Sequence, residues 1–146
     1  MTVAPTRQMA IPLQSRASGR PPEYCYFGVA RVDSSGVLDP SFGGTGKVHT
    51  DVNDGFPYDV ALQSDNKIVA LGIHGNLTDF PSNVVLIRYL PDGSLDGAFG
   101  DNGISETNYG YIHNAAGDIR LQADGQIVVC GGTASHTQIN AVVARY

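Results

Sequence analysis

The sequence is poor in two residue types that favour helices. Lysine occurs only at Lys47 and Lys67, and glutamate only at Glu23 and Glu106. The 18 glycines, together with apolar stretches filled by valine, isoleucine, threonine and tyrosine, favour short strands joined by tight turns. The 146 residues therefore predict an all-β protein of ordinary domain size.

Basic runs and long apolar segments are also missing. The net charge is −5 and the basic residues are scattered, so we do not expect nucleic acid as a partner. No stretch approaches the roughly 20 apolar residues of a transmembrane helix, and we expect no membrane partner. The first residues lack the pattern of a signal peptide, and the compartment is left open.

The sequence shows no familiar metal or cofactor motif. Two cysteines, Cys25 and Cys130, are too few for a disulfide framework, although they could pair with each other. Cys130 lies in an apolar run, which predicts a buried, inert thiol. The histidines form no zinc motif, and the turn at residues 92–96 has too few oxygen ligands for a calcium loop. We predict no metal, cofactor or catalytic residue.

An internal repeat dominates the second part of the chain. Arg31, Arg88 and Arg145 are each 57 residues apart, and a second block of matches, from Asp59 and Asp118 onward, is shifted by 59. Each unit gives four strand signals, which we call a to d. In the fuller copy they cover residues 58–63, 67–72, 84–90 and 103–108. Four strands in about 57 residues is typical of a propeller blade.

The strand b and strand c signals are almost continuously apolar, which predicts sheets that are covered on both faces. We therefore predict two tandem β-propeller blades, at 26–83 and 84–146, preceded by an extended arm at 1–25. A β-sandwich and a β-solenoid are the competing architectures.

The repeated segments resemble the delta-60 repeat family of bacterial propeller-like proteins. The stretch VLIRYLPDGSLDGAFGDNG at 85–103 and the stretch IRLQADGQIVVCGG at 119–132 carry the resemblance. The first copy gives weaker counterparts at 29–47 and 60–72. The similarity covers roughly residues 26–146 and implies propeller-like blades, but it implies no activity. Arg120 and Asn66 depart from the family pattern, where a small apolar residue and a glycine are expected.

Two blades cannot close a ring, because propellers have about four to eight. The predicted strands amount to one complete blade, one blade that lacks strand d, and a leading c–d pair. Open edges and exposed apolar faces would remain. We therefore expect either further blades or a cyclic homo-oligomer, with a trimer favoured.

The repeated arginines lie within apolar strands, where a buried charge must be paired. We predict structural ion pairs for Arg31, Arg88 and Arg145. Acidic residues that recur in the same units are the expected partners; they are Asp59, Asp118, Asp39 and Asp96. A ring of ligand-binding arginines is the alternative interpretation.

The longer loops, b–c and d–a, emerge together on one side of a blade. Loops on a rigid scaffold commonly carry binding sites, and aromatic and amide side chains suit sugars or proteins. The candidate residues are Phe56, Tyr58, His74, Tyr109, Tyr111, His113 and His136.

We expect a non-enzymatic module that binds a protein or a glycan. The alternative is a carbohydrate-active enzyme that uses the same loops. Glycosidases need two positioned carboxylates, and Asp54 and Asp79 are the acids available there.

Overall fold

The computed structural model describes residues 7–10, 26–52, 55–75, 82–110, 113–135 and 137–146. Within these ranges the chain forms ten β-strands and no helix, and so no helix that could span a membrane. The strands are β1 (Arg7–Ala10), β2 (Phe27–Val32), β3 (Lys47–Thr50), β4 (Phe56–Leu62), β5 (Ile68–His74), β6 (Asn83–Tyr89), β7 (Ile104–Thr107), β8 (His113–Leu121), β9 (Ile127–Ala134) and β10 (Ile139–Arg145).

The strands form three antiparallel sheets. The first sheet has the order β1-β2-β3, the middle sheet β4-β5-β6-β7, and the last sheet β8-β9-β10. The middle sheet contains the four strands a to d that the sequence predicts for one unit, in the predicted order. The all-β architecture is confirmed, and the described residues form no closed ring.

The first sheet contains one strand that the sequence analysis did not predict. β1 pairs antiparallel with β2, with Met9 opposite Ala30. It stands where strand b stands in the middle sheet, so the leading c–d pair is in fact part of a three-stranded sheet. The remainder of the predicted arm, residues 1–6 and 11–25, lies outside the described residues. So does Cys25, and with it the question of a Cys25–Cys130 pair.

Repeated local geometry supports the unit assignment. The turns between strands a and b have a left-handed residue at equivalent positions, Asn66 with φ 65° and Gly125 with φ 84°. Both a strands also change register at the same place, between Pro57 and Asp59 and between Ala116 and Asp118. A bulge at a fixed position of each unit bends both a strands in the same way.

The middle sheet is covered on both faces. Alternate side chains of β5 point in opposite directions: Ile68 and Ala70 pack towards the first sheet, and Val69, Leu71 and Ile73 towards the last. One core contains Phe27, Val29, Phe42, Val52, Val85, Ile87 and Tyr89. The other adds Val84, Leu86, Ala116, Ile119, Ile127 and Val129. This double burial explains the continuous apolar runs of strands b and c.

The last sheet is covered on one face only. Its strand β10 alternates between exposed and half-buried residues, and Ile139 and Val143 are 87% and 72% exposed. Cys130 lies on the same face and is exposed, so the prediction of a buried thiol is wrong. Its equivalent in the middle sheet, Leu71, is buried because another sheet packs over it. No described sheet packs over Cys130.

Candidate functional site

One side of the three sheets holds the ends of β3, β5, β7 and β9 and the starts of β4, β6, β8 and β10. We call it the loop-rich face. It contains the b–c and d–a connections that the sequence analysis selected. The opposite side carries the short turns, a–b and c–d, and we call it the turn face.

A polar cluster lies at the loop-rich end of the middle sheet. His74 Nδ1 is 2.9 Å from Glu106 Oε1, and Asn83 Nδ2 donates a hydrogen bond of 2.5 Å to the same oxygen. Burial alone would raise the pKa of Glu106, but the bonds from Asn83 and His74 more than compensate and lower it. Glu106 is therefore held as a carboxylate. Asn83 Oδ1 is buried and accepts no hydrogen bond from any residue in the described part of the chain.

A row of polar residues occupies the equivalent positions of the last sheet. We call this row and the cluster around Glu106 the two polar rows. Asn114, Thr133 and Asn140 lie side by side across β8, β9 and β10. Ser82, just before β6, accepts a bond of 2.9 Å from Asn114 N and donates one of 3.0 Å to Asn114 O. Thr133 Oγ1 and Asn140 Nδ2 are buried and have no hydrogen-bond partner among the described residues. Orphaned buried atoms of this kind are rare in proteins and call for a specific explanation.

The two rows were missed by the sequence analysis, although His74 was selected. Asn83 and Asn140 are 57 residues apart, as the first residue of β6 and the second residue of β10, which places them at one repeat position. Thr133 corresponds in the same way to His74, at the spacing of 59. The repeated asparagine was therefore a usable signal.

The predicted aromatic residues are placed in different environments. Phe56 and Tyr109 are half-buried and pack against the core between the middle and last sheets, whereas Tyr58 is exposed. His113 is half-buried at the start of β8 and has interactions of its own. The remaining candidates, Tyr111 and His136, lie outside the described residues, as do Asp54 and Asp79.

The arginines of strand c contact acids from the following c–d turn. Arg31 Nε is 3.0 Å from Asp39 Oδ2, and Arg88 Nε is 2.8 Å from Asp96 Oδ2. Each guanidinium also lies over an aromatic ring, at 4.9 Å from Phe42 for Arg31 and at 4.4 Å from Phe99 for Arg88. These contacts join strand c to its own c–d turn.

The other residues of the predicted ion pairs are placed elsewhere. Asp59 and Asp118 belong to strand a, which strand b separates from strand c, so neither meets a repeated arginine. Asp118 contacts Arg120 Nη1, and Asp59 Oδ2 accepts a bond of 3.2 Å from Ile119 N of the last sheet. Arg145 lies 3.5 Å from Gln122 Oε1 and contacts no carboxylate among the described residues.

A tyrosine–threonine contact recurs between neighbouring sheets. Tyr89 OH is 2.7 Å from Thr50 Oγ1, and Tyr146 OH donates a 2.8 Å bond to Thr107 Oγ1. Burial raises the pKa of Tyr89 to about 12, despite the opposing effect of the Thr50 bond. The contact ties strand c of one sheet to strand d of the sheet before it.

The fold and these repeated contacts define a β-propeller-like repeat protein. In agreement, a family described as a domain of unknown function (DUF5122) with a β-propeller fold matches residues 63–99. That stretch runs from the a–b turn of the middle sheet to its c–d turn. Comparison with curated proteins and with solved structures found no match. The described residues also contain no group of three His, Cys, Asp or Glu side chains that could hold a metal ion.

Proposed function

We propose that the chain is a non-enzymatic propeller module of the delta-60 repeat type that binds a protein or a glycan through its loop-rich face. The supporting observation is the pair of polar rows at that face. They combine a fixed carboxylate, Glu106, with buried polar atoms of Asn83, Thr133 and Asn140 that have no partner within the described ranges. A ligand rich in hydroxyl or amide groups, or ordered water, would satisfy these atoms.

Glycan binding is supported by the chemistry of the rows. Neutral amides and hydroxyls with one carboxylate make directional bonds to hydroxyl groups, and Tyr58 adds an exposed aromatic side chain on strand a of the middle sheet. Hydrolysis would require two positioned carboxylates, and the described cluster contains only that of Glu106. We therefore favour a binding function over a catalytic one.

A glycan array probed with the wild type and with Asn83→Ala and Glu106→Gln tests the proposal. Both variants should weaken binding at least about tenfold, since each removes hydrogen bonds to a desolvated ligand. Asp124→Asn, on the turn face, is the matched control and should bind as the wild type does. Equal binding by all four proteins would overturn the assignment of the face.

A hydrolase screen on the same glycans tests the alternative. Turnover that is lost in Glu106→Gln, Asp54→Asn or Asp79→Asn would replace the binding module by an enzyme. Binding without turnover in the wild type would support the module.

We further propose that the incomplete ring is completed by other copies of the chain, with a trimer favoured, or by further blades. One face of the last sheet, around Cys130 and Val143, is exposed and largely apolar. This supports the assembly because exposed apolar sheet faces promote association. Light scattering gives the mass directly. A stable monomer at all concentrations would contradict assembly from copies of this chain.

A further inference from the structure

The outward side of the last sheet is an uncovered and largely apolar surface among the described residues. It is formed by alternate residues of three strands, which include Ala115, Val128, Cys130, Gly132, Ala141, Val143 and Ile139. We call it the bare face. Its charged residues are Asp118, which pairs with Cys130 across the strands and contacts Arg120, and the row of Arg120 and Arg145 at the end near the turn face.

The repeat shows what kind of surface covers this position. Cys130 corresponds to Leu71, and Val143 corresponds to Leu86, and both leucines are fully buried against the last sheet. The first sheet is covered in the same sense by the middle sheet. If the sheets continue to pack in the same sense, the next blade-like sheet covers the bare face.

The arginine of the first sheet also reaches the sheet that follows. Arg31 Nη1 donates to the carbonyl oxygen of Pro91, in the c–d turn of the middle sheet, and Gly43 N donates to Asp92 O beside it at 2.8 Å. Arg145 occupies the same position of the last unit, and among the described residues no turn of a further sheet contacts it. Its guanidinium is exposed and lacks a carboxylate partner in the described ranges.

The matching turn of the first sheet carries an acid. Residues 33–37 are the equivalent of the turn that Arg31 contacts, and Asp33 begins it. Its carboxylate accepts bonds from Ser35 N at 2.8 Å and Val37 N at 3.0 Å, which fix its position. Val37, in the same turn, is 61% exposed. The middle sheet has the uncharged Leu90 where the first sheet has Asp33.

We propose that the bare face binds the first sheet of a second copy, with Arg145 of one copy contacting the turn at residues 33–37 of the other. The inference rests on the proposed assembly and specifies its interface. Two observations support it: the stacking sense is that of both internal interfaces, and an exposed arginine is brought to a half-buried acid. Because Gly28 and Ala30 of the first sheet are already buried, the contact is expected at Val32 and this turn.

Charge reversal with rescue tests the contact in the full chain. In sedimentation equilibrium, Arg145→Asp and Asp33→Arg should each weaken association about tenfold, since each places like charges together. The double variant, which restores an opposite pair, should return to within about threefold of the wild type. Asp101→Arg, at an exposed turn position of the middle sheet, should have no effect.

A second measurement guards against misfolded variants. Asp33→Asn removes the charge and keeps the side-chain oxygen that holds the turn, so it should fold normally and associate more weakly. In a Cys25→Ser background, the reaction of Cys130 with a thiol reagent should slow as the protein concentration rises. The two reversal variants should abolish this slowing, and the double variant should restore it.

The outcomes separate this contact from the assembly itself. Association that responds to both reversals and is rescued by the double variant supports the contact. Association that is equally strong in the wild type and in both reversal variants overturns the proposed contact but not the proposed assembly. A wild type that stays monomeric, with Cys130 equally reactive at every concentration, overturns both.

Discussion

Single residues show where one copy of the repeat is better suited to its position than the other. The a–b turns require a left-handed residue, which Gly125 provides without strain and Asn66 provides at some cost. The sequence already identified Asn66 as a departure from the repeat pattern. The structure adds that both residues adopt the same backbone conformation.

Replacing Asn66 with glycine should stabilise the protein. We expect a gain of about 0.5–1 kcal/mol in the free energy of unfolding, because glycine removes the steric cost of positive φ. Conversely, Gly125→Ala should cost about 1 kcal/mol. Gly97→Ala is the control, since Gly97 has open space around it and an ordinary φ, and it should be nearly neutral. Urea denaturation gives all three values, and a loss of stability in Asn66→Gly would refute this interpretation of the turn.

Buried Tyr89 should make stability depend on alkaline pH. Its pKa is raised to about 12 in the folded state, against about 10 when unfolded. Its contribution is therefore complete below pH 10 and is lost as the pH rises towards 12. The loss amounts to about 2–3 kcal/mol.

Tyr89→Phe should flatten this part of the stability curve, as measured by denaturant unfolding between pH 9 and 12. Tyr58→Phe, at an exposed tyrosine, is the control and should leave the curve unchanged. Identical curves for wild type and Tyr89→Phe would show that Tyr89 ionises as freely as a solvent-exposed tyrosine.

At the level of strands and sheets, the sequence predicted most of what the structure shows. Composition was sufficient for strands b and c because these are short apolar runs, and the repeat spacing was sufficient for strand d, whose residues are mixed. β1 was missed because Arg7–Ala10 is a short, mixed segment whose pairing with β2 depends on a long-range contact. The exposure of Cys130 was also missed, since the same apolar run is buried in the middle sheet and open in the last. The hydrophobic pattern of a strand does not show whether another sheet packs over it.

The candidate site was predictable only in part. The loop-rich face follows from the order of the strands, and His74 was selected from it. The pairing of His74 and Asn83 with Glu106 depends on the register of three strands, which local sequence does not contain. The acid partners of the arginines were likewise decided by topology, because strand b separates strand a from strand c.

Equivalent side chains in neighbouring sheets should differ sharply in their contribution to stability. Leu86 is fully buried, whereas Val143, at the same repeat position, is exposed. Leu86→Ala should cost about 2–5 kcal/mol. Val143→Ala should cost less than about 0.5 kcal/mol in dilute solution. Chemical denaturation at low protein concentration makes the comparison, and equal losses would show that the two faces are equally covered.

At the scale of the whole molecule, the three described sheets form no closed ring. The middle sheet has neighbours on both sides, whereas the last sheet has the bare face and, within the described ranges, no strand paired with the outer edge of β10. Closure requires further sheets. The account therefore predicts a gradient of stability along the chain, highest in the middle sheet.

Amide hydrogen exchange followed residue by residue tests this central claim most directly, because local opening reports how well each strand is covered. In dilute solution, the amides of β5 and β6 should exchange slowest and those of β10 fastest among the c strands, with β10 becoming slower as the concentration rises. Fast exchange throughout β5 and β6, or protection of β10 equal to theirs at high dilution, would contradict the stacking of blades described above.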